Sequence, residues 1–299
     1  MAQALYAAVE AGGTKFLCGL GSAQTGSLEQ ARIATRDPQA TLAEVADFFR
    51  AATARHGAPR ALGIASFGPL DLDPASPGHG RITTTPKPGW GGLDLLGRMR
   101  AMLGVPAAIQ TDVNAAALAE ARLGAGTGAV GVAYVTVGTG IGVGFAEGGA
   151  LRHRAGHPEA GHLSLRRHPG HAGFAGLCPY HGDCIEGLAS GPAIAAAWGA
   201  SLDRLAPDHP AWDVEADYLG QLCAALVLTA APDRIVLGGG VLAQARLLAG
   251  TRARAAHWLG GYVAALDGPD AFARLIVAPG CEEAPGLVGA YLLAETAAG

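Results

Sequence analysis

The chain has 299 residues, a length that suits two domains or one large one. Half of the residues are hydrophobic and 15% are charged, which supplies a sizeable core and argues against intrinsic disorder. With 21 basic and 25 acidic residues the net charge is −4, and no basic stripe or tail exists to favour nucleic acid or an anionic membrane as main partner.

In chain order, the first apolar run, Leu5 to Val9, meets Glu10-Ala11-Gly12-Gly13-Thr14-Lys15 and resumes as Phe16 to Leu20. That pattern predicts strand, tight turn, strand. Thr41-Leu42-Ala43-Glu44 has the form of a capping box, and Leu42, Val45, Phe48, Phe49 and Ala52 give the following helix one apolar face before Gly57. Ala61 to Ser66 reads as a buried strand ending in Phe67-Gly68-Pro69. Leu93 to Leu103 predicts a helix stopped by Gly104, and Ala107 to Gln110 a short strand. Asp112 opens a third helix, Val113 to Leu123, stopped by Gly124. Val132 to Val137 then runs into Gly138-Thr139-Gly140 and continues as Ile141 to Phe145, a second copy of the opening hairpin. Tyr218 to Ala231 predicts a helix and Arg234 to Leu237 a strand, from which Gly238-Gly239-Gly240 leads into another helix. Alternating strands and helices, with one hairpin design repeated at half-chain spacing, indicate a duplicated α/β fold divided near residue 112.

Glycine is the compositional outlier: 46 residues, roughly twice the usual frequency, with no third-residue period. At strand ends such turns let backbone N–H groups approach phosphate, because no Cβ intervenes. Neither Gly12-Gly13-Thr14-Lys15 nor Gly138-Thr139-Gly140 has the spacing of a P-loop or a dinucleotide fingerprint, so each alone reads equally well as an ordinary hairpin turn. Two matching hairpins plus the triplet Gly238 to Gly240 favour a nucleotide site between the halves. Lys15, one of only two lysines, lies just past the first turn and is placed for a phosphate.

Cys178, His181 and Cys184 stand three residues apart in a Pro/Gly-bent loop, a spacing that lets thiolate and imidazole converge on one tetrahedral zinc. His162, His168 and His171 are the candidates for the fourth ligand, and a closed shell of this kind makes the zinc structural. Cys18, Cys223 and Cys281 sit in apolar contexts and read as small buried hydrophobes. Asp112 follows a strand and opens a helix, where aspartate is a favoured N-cap. A carboxylate at a strand end of an open α/β sheet is equally a ligand-handling group. Glu159, His162 and Glu186 flank or belong to the metal loop, which would hold them near one pocket. No apolar run is long enough to span a bilayer and no secretory leader opens the chain, so a soluble cytoplasmic protein is expected.

The whole chain resembles the ROK family of sugar kinases, and within it the fructokinase branch. The resemblance rests on Glu10-Ala11-Gly12-Gly13-Thr14-Lys15, Thr111-Asp112-Val113-Asn114-Ala115-Ala116 and Val137-Gly138-Thr139-Gly140-Ile141-Gly142. It extends through Gly156-His157-Pro158-Glu159-Ala160-Gly161-His162, the Cys178–Cys184 loop with Glu186, and Leu237-Gly238-Gly239-Gly240-Val241. It implies the actin-like ATPase (ribonuclease H-like) fold: a domain of residues 1–112 and a larger one of 113–299 around a cleft, with the C-terminal helix packing back on the first. It further implies ATP- and Mg²⁺-dependent phosphorylation of a hexose, with Asp112 as general base. Glu159, His162 and Glu186 would contact sugar, with Asn114 and Gly68 nearby. The turns Gly12 to Lys15 and Gly138 to Gly140 would hold phosphate, and Gly238 to Gly240 would face adenosine. His162, Cys178, His181 and Cys184 would be the ligands of a structural Zn²⁺, and a homodimer is expected. Three departures stand out: Thr111 precedes the base where relatives often have asparagine, His181 replaces a cysteine, and Lys87 in Thr85-Pro86-Lys87-Pro88 replaces an asparagine that touches sugar. The last two are features of the fructokinase branch, so fructose is favoured over glucose, mannose or N-acylhexosamines. A sugar-responsive repressor of this kinship would carry a helix-turn-helix before the first turn, and only eleven residues precede Gly12.

Overall fold

The computed structural model of the protein describes residues 4–151, 156–268 and 270–299. The opening run folds back on itself as antiparallel β1 (Tyr6–Ala11) and β2 (Lys15–Ser22), and β3 (Gly26–Ala34) extends the meander. After α1 (Pro38–His56), β4 (Leu62–Ser66) lies parallel to β1. α2 (Leu95–Leu103) then leads to β5 (Ala107–Thr111), parallel to β4, which completes a sheet of order β3-β2-β1-β4-β5.

α3 (Asp112–Leu123) crosses to a second meander, β6 (Gly131–Val137), β7 (Ile141–Glu147) and β8 (Ala150–Leu151). Three helices follow, α4 (Ile185–Ala189), α5 (Gly191–Trp198) and α6 (Ala211–Ala230). Then come β9 (Arg234–Gly238), α7 (Ala245–Leu259), α8 (Ala271–Leu275), β10 (Ile276–Val277) and the last helix, α9 (Pro285–Ala297). β9 pairs parallel with β6, and β10 parallel with β9, giving the order β10-β9-β6-β7-β8. Read outward from β1 and from β6, the two sheets are one topology: a three-stranded antiparallel meander on one side, two parallel strands on the other. The duplication expected from the repeated hairpins is therefore carried by whole sheets.

Three element ends differ from expectation. α1 begins before the Thr41-Glu44 box, because Asp37 caps it by accepting from the Ala40 N–H and Pro38 fits the first turn. Thr41 instead lies inside the helix and accepts from the Arg36 N–H. α6 starts at Ala211 rather than Tyr218, and the glycine triplet leads into a single 3-10 turn, Gly240–Ala243, before α7.

Each sheet has its own core, one around Val9, Phe16, Phe49, Ile64 and Trp90, the other around Val135, Val143, Tyr218, Leu222 and Ile235. Between them α9 lies against β1, β4 and α3, with Ala8, Ala65, Ala115, Ala290 and Tyr291 in the seam. Small residues set this approach. A Cβ on Gly63 would stand 1.8 Å from the Ala290 carbonyl oxygen, and one on Gly289 would stand 2.0 Å from that of Ala115. No helix among the described residues is long and apolar enough to cross a membrane.

Candidate active site

The turns joining β1 to β2 and β6 to β7 face each other across a cavity of about 810 Å³. In the first turn the Gly12 N–H donates to the Lys15 carbonyl at 2.9 Å, and a Cβ on Gly12 would meet that oxygen at 2.8 Å. The second turn closes through Gly138 N–H to the Gly140 carbonyl, also at 2.9 Å. Gly138 faces open space, with no atom within 4 Å of where a Cβ would be. Gly12, Gly13, Thr14, Lys15, Gly138, Thr139 and Gly140 all line the cavity.

Asp112 lies on the cavity wall at the junction of β5 and α3. Thr111 performs the capping that an aspartate there could have performed: its hydroxyl accepts from the Asn114 N–H at 3.2 Å. Asp112 is thereby free of that role, and its Oδ1 accepts from the Val113 N–H at 2.9 Å. Burial raises its carboxyl to about 7, and the neighbouring Glu10 carboxylate adds to the shift. Glu10, at the end of β1, is itself raised by burial, although Lys15 opposes this, and its Oε2 is buried with no hydrogen-bond partner. Sequence reading gave Glu10 no part; its only signal was a carboxylate directly preceding a glycine turn.

The chain's two lysines, Lys15 and Lys87, both line this cavity. Lys87 approaches from the 84–90 segment, where its Cε stands 3.9 Å from a Cβ built on Gly13. That segment is anchored by Trp90, fully buried between Phe16 and Phe67, with Nε1 donating to the Arg36 carbonyl at 2.9 Å. Burial of such a ring is worth about 3 kcal/mol.

Glu159, His162 and Glu186 line the cavity too. Glu186, in the first turn of α4, accepts from the Ile141 N–H through Oε2 at 3.0 Å and so pins the second glycine turn. A Cβ on Gly140 would stand 2.5 Å from that same oxygen. Burial raises the Glu159 carboxyl; His162 lowers it and Glu186 raises it. Gly68 lies on the wall as well, beside His157, whose Nε2 accepts from the Leu70 N–H at 3.0 Å. His157 belongs to a motif the sequence singled out, but no spacing marked it for a role.

His162, Cys178, His181 and Cys184 form one cluster, with a donor atom of each within 4.8 Å of the others. His162 Nδ1 is 3.5 Å from Cys184 Sγ and 3.7 Å from Cys178 Sγ, and His181 Nδ1 is 3.6 Å from Cys178 Sγ. The two other histidines open as fourth ligand lie elsewhere. His168 Nδ1 accepts from the Gly170 N–H and its Nε2 faces Asp213 at 3.6 Å, while His171 is stacked between Phe174 and Trp198. Cys18 and Cys223 are buried and Cys281 half-buried, each thiol pushed up to about 12 by burial.

Two sets of candidate residues are not brought to the cavity wall. Asn114 is buried with its amide committed, Oδ1 accepting from the Phe145 N–H at 3.0 Å and Nδ2 donating to Gln110 at 3.1 Å, so it splices α3 to β5 and β7. Gly238, Gly239 and Gly240 lie behind the second turn; a Cβ on Gly239 would stand 2.3 Å from the Val137 carbonyl oxygen.

The family model described as ROK family matches residues 6–297. A fructokinase of Zymomonas mobilis subsp. mobilis is 42% identical over 97% of this chain and 96% of its own. A fructokinase of Pediococcus pentosaceus is 39% identical over 98% of each chain. Among solved structures, a ROK hexokinase from Thermus thermophilus superposes with a TM-score of 0.75 at 28% identity over 98% of each chain. A ROK family glucokinase from Streptomyces griseus, in complex with glucose and AMPPNP, gives 0.73 at 26% identity, covering 98% of this chain and 99% of that one.

Proposed function

This chain belongs to the ROK family, and from that premise we propose that it is an ATP-dependent fructokinase, converting D-fructose and ATP to D-fructose 6-phosphate and ADP with Asp112 as general base. The observation that carries the chemistry is the Asp112 carboxylate, with helix capping left to Thr111, on the wall of a cavity bordered by two glycine turns.

Phosphoryl transfer asks a protein chiefly for positioning and charge neutralisation. Gly138 supplies a cradle that any side chain would fill, so a phosphate oxygen reaches backbone N–H groups of the second turn. Lys15 and Lys87 bring positive charge to the first turn. Asp112, titrating near neutrality, accepts the proton of the attacking hydroxyl, and its position beside that hydroxyl counts for more than its basicity. Glu186 spends Oε2 on the turn and leaves Oε1 for a sugar hydroxyl, so one residue ties acceptor to donor. Asn114 and the triplet Gly238 to Gly240 then act behind the wall, the first by holding α3 and the second by shaping the base of the nucleotide side.

Mg²⁺, when bound, neutralises the phosphate charge that develops in transfer. Glu10 is the residue that would hold it, because a buried carboxylate oxygen without a hydrogen-bond donor is a fit partner for a hard cation. Zn²⁺ fits the His162, Cys178, His181 and Cys184 set as a closed structural site. A tetrahedral centre with Zn–S of about 2.3 Å and Zn–N of about 2.0–2.1 Å separates sulfur from nitrogen by about 3.6 Å, the spacing found among these donors. With Nδ1 of His162 given to the cluster, its Nε2 carries the ring proton and is a hydrogen-bond donor toward sugar. A cytoplasmic homodimer completes the proposal, and molar mass in solution tests the assembly.

The deciding experiment is ADP release measured across fructose, mannose, glucose and N-acetylhexosamines, with metal content determined on the same sample. Turnover of fructose with bound zinc is expected. Fast turnover of glucose with none of fructose would overturn the branch assignment and make the chain a glucokinase.

A further inference from the structure

His157 is placed where both lobes meet. Its side chain is 7% exposed and lies beside Gly68, whose added Cβ would stand 3.3 Å from the ring. Nε2 accepts from the Leu70 N–H at 3.0 Å, on the loop that leaves β4 of the first sheet. An imidazole nitrogen that accepts carries no proton, so the neutral ring holds its proton on Nδ1. Nδ1 in turn faces Glu159 Oε1 at 3.2 Å. Burial lowers the pKa of His157, which favours that neutral form.

The Leu70 loop is itself tied to the segment that carries Lys87. Leu70 bridges to Ile82, and the Thr83 N–H donates to the Pro69 carbonyl at 2.8 Å. One ring therefore connects the loop that follows β4 and bears Gly68 with the segment that bears Glu159. A half-exposed glutamate on a loop has no secondary structure of its own to hold its carboxylate. Nδ1 of His157 lies 3.2 Å from Oε1 of that carboxylate, within reach to hold it.

Resting on the sugar-kinase reading above, we infer that His157 is a positioning residue: it bridges the Leu70 N–H of one lobe to the Glu159 carboxylate of the other, and so orients Glu159 toward the hexose. The role is indirect, since Nε2 accepts from the Leu70 N–H and Nδ1 faces the Glu159 carboxylate.

The test is a cycle of His157→Ala, Glu159→Gln and the double variant, with steady-state kinetics for fructose and for ATP. His157→Ala is expected to raise KM for fructose about tenfold or more, the loss that accompanies a hydrogen bond to a charged group, with KM for ATP within about twofold. Because His157 acts through Glu159, the double variant is expected to be no worse toward fructose than Glu159→Gln alone. His157→Gln presents an amide oxygen and an NH₂ at a spacing like that of the ring nitrogens and is expected to recover most of the loss. His157→Phe keeps the ring volume without the nitrogens and repeats the test should the alanine variant fold poorly. Fully additive losses in the double variant, or an unchanged fructose KM in both His157→Ala and His157→Phe, overturn the inference. If the wild-type protein turned over no hexose, the kinase reading itself would fail; if only the His157 variants behaved as wild type, the positioning role alone would fail.

Discussion

Replacing Asp112 with asparagine separates what the carboxylate does for chemistry from what it costs the fold. In the folded protein the carboxyl titrates at about 7 against an ordinary 3.8, so the folded state holds the proton more tightly than the unfolded chain. Stability is then lost as pH rises from about 4 to about 7 and stays level above. The shift of about 3 units corresponds to a ceiling of about 4 kcal/mol, and water in the open cleft brings a working value nearer 2 kcal/mol. Asn keeps the oxygen that accepts from the Val113 N–H and removes the charge. The unliganded Asp112→Asn protein is therefore expected to melt about 4 °C above wild type at pH 8 and to lose most of that margin at pH 5. Turnover should fall by about a thousandfold, within the range that a general base supplies, while fructose binding and metal content persist. Thermal melts at the two pH values and an ADP-release assay on the same preparations decide it. A variant less stable than wild type at pH 8, a margin independent of pH, or turnover within tenfold of wild type would each refute the reasoning.

The same titration predicts an acid limb in wild-type kcat/KM for fructose: one pH unit below the carboxyl's value leaves about one-tenth of it ionised, so the rate at pH 6 should be about tenfold below its plateau. Glu10→Gln removes the charge that adds to the shift, so the limb should move to lower pH while the plateau falls with weaker Mg²⁺ binding; a limb that stays in place would detach Glu10 from Asp112. Gly138→Ala enters open space, so the melting temperature should hold while AMPPNP binding, followed by calorimetry, weakens by about tenfold or more. Unchanged nucleotide affinity in that variant would remove the second turn from the phosphate site. Cys184→Ala should release zinc, read by elemental analysis, and raise KM for fructose through the His162 and Glu159 wall; full metal content in this variant would place the zinc elsewhere.

Local chemistry made much of the fold legible. The two hairpins, the helix stops and the buried strands follow from apolar runs bounded by glycine, and their repetition anticipated a topology that the two sheets share. The positions that sequence left open or misplaced are those where two local partners compete. Thr41 and Asp37 both suit a helix start, and Pro38 decides for Asp37. Thr111 and Asp112 both suit a cap, and the choice of Thr111 is what leaves Asp112 in the cleft. Asn114 sits two residues from Asp112 and is expected from sequence near the sugar; its amide is taken by β5 and β7, a demand visible only once the sheets are paired. His157 and Glu10 escaped for the converse reason: their partners, Leu70 and Asp112, are distant in sequence, and no periodicity announces a contact across a cleft.

The glycine excess is where composition and structure part most usefully. Sequence reading divided it among phosphate turns, an adenosine-side triplet, bends of the metal loop and helix stops. The structure adds a further group that lets one element pack on another. Gly63 and Gly289 let α9 approach β4 and α3, and Gly144 lets β7 approach the start of α3, where a Cβ would stand 2.1 Å from the Val113 carbonyl oxygen. Gly161 does the same between the segment of Glu159 and His162 and β7, with 1.7 Å to the Ile141 carbonyl oxygen. The contacts of Gly289, Gly144 and Gly161 fall on α3 and on the β7 end of the second turn, so the elements that carry Asp112 and Gly138 are held backbone to backbone rather than through side chains that change rotamer. An alanine at Gly144 or Gly161 would thus be expected to act at a distance, shifting Asp112 or Glu159 without touching either ligand. Glycine here leaves open space at Gly138 and lets backbones meet in the seam around α3.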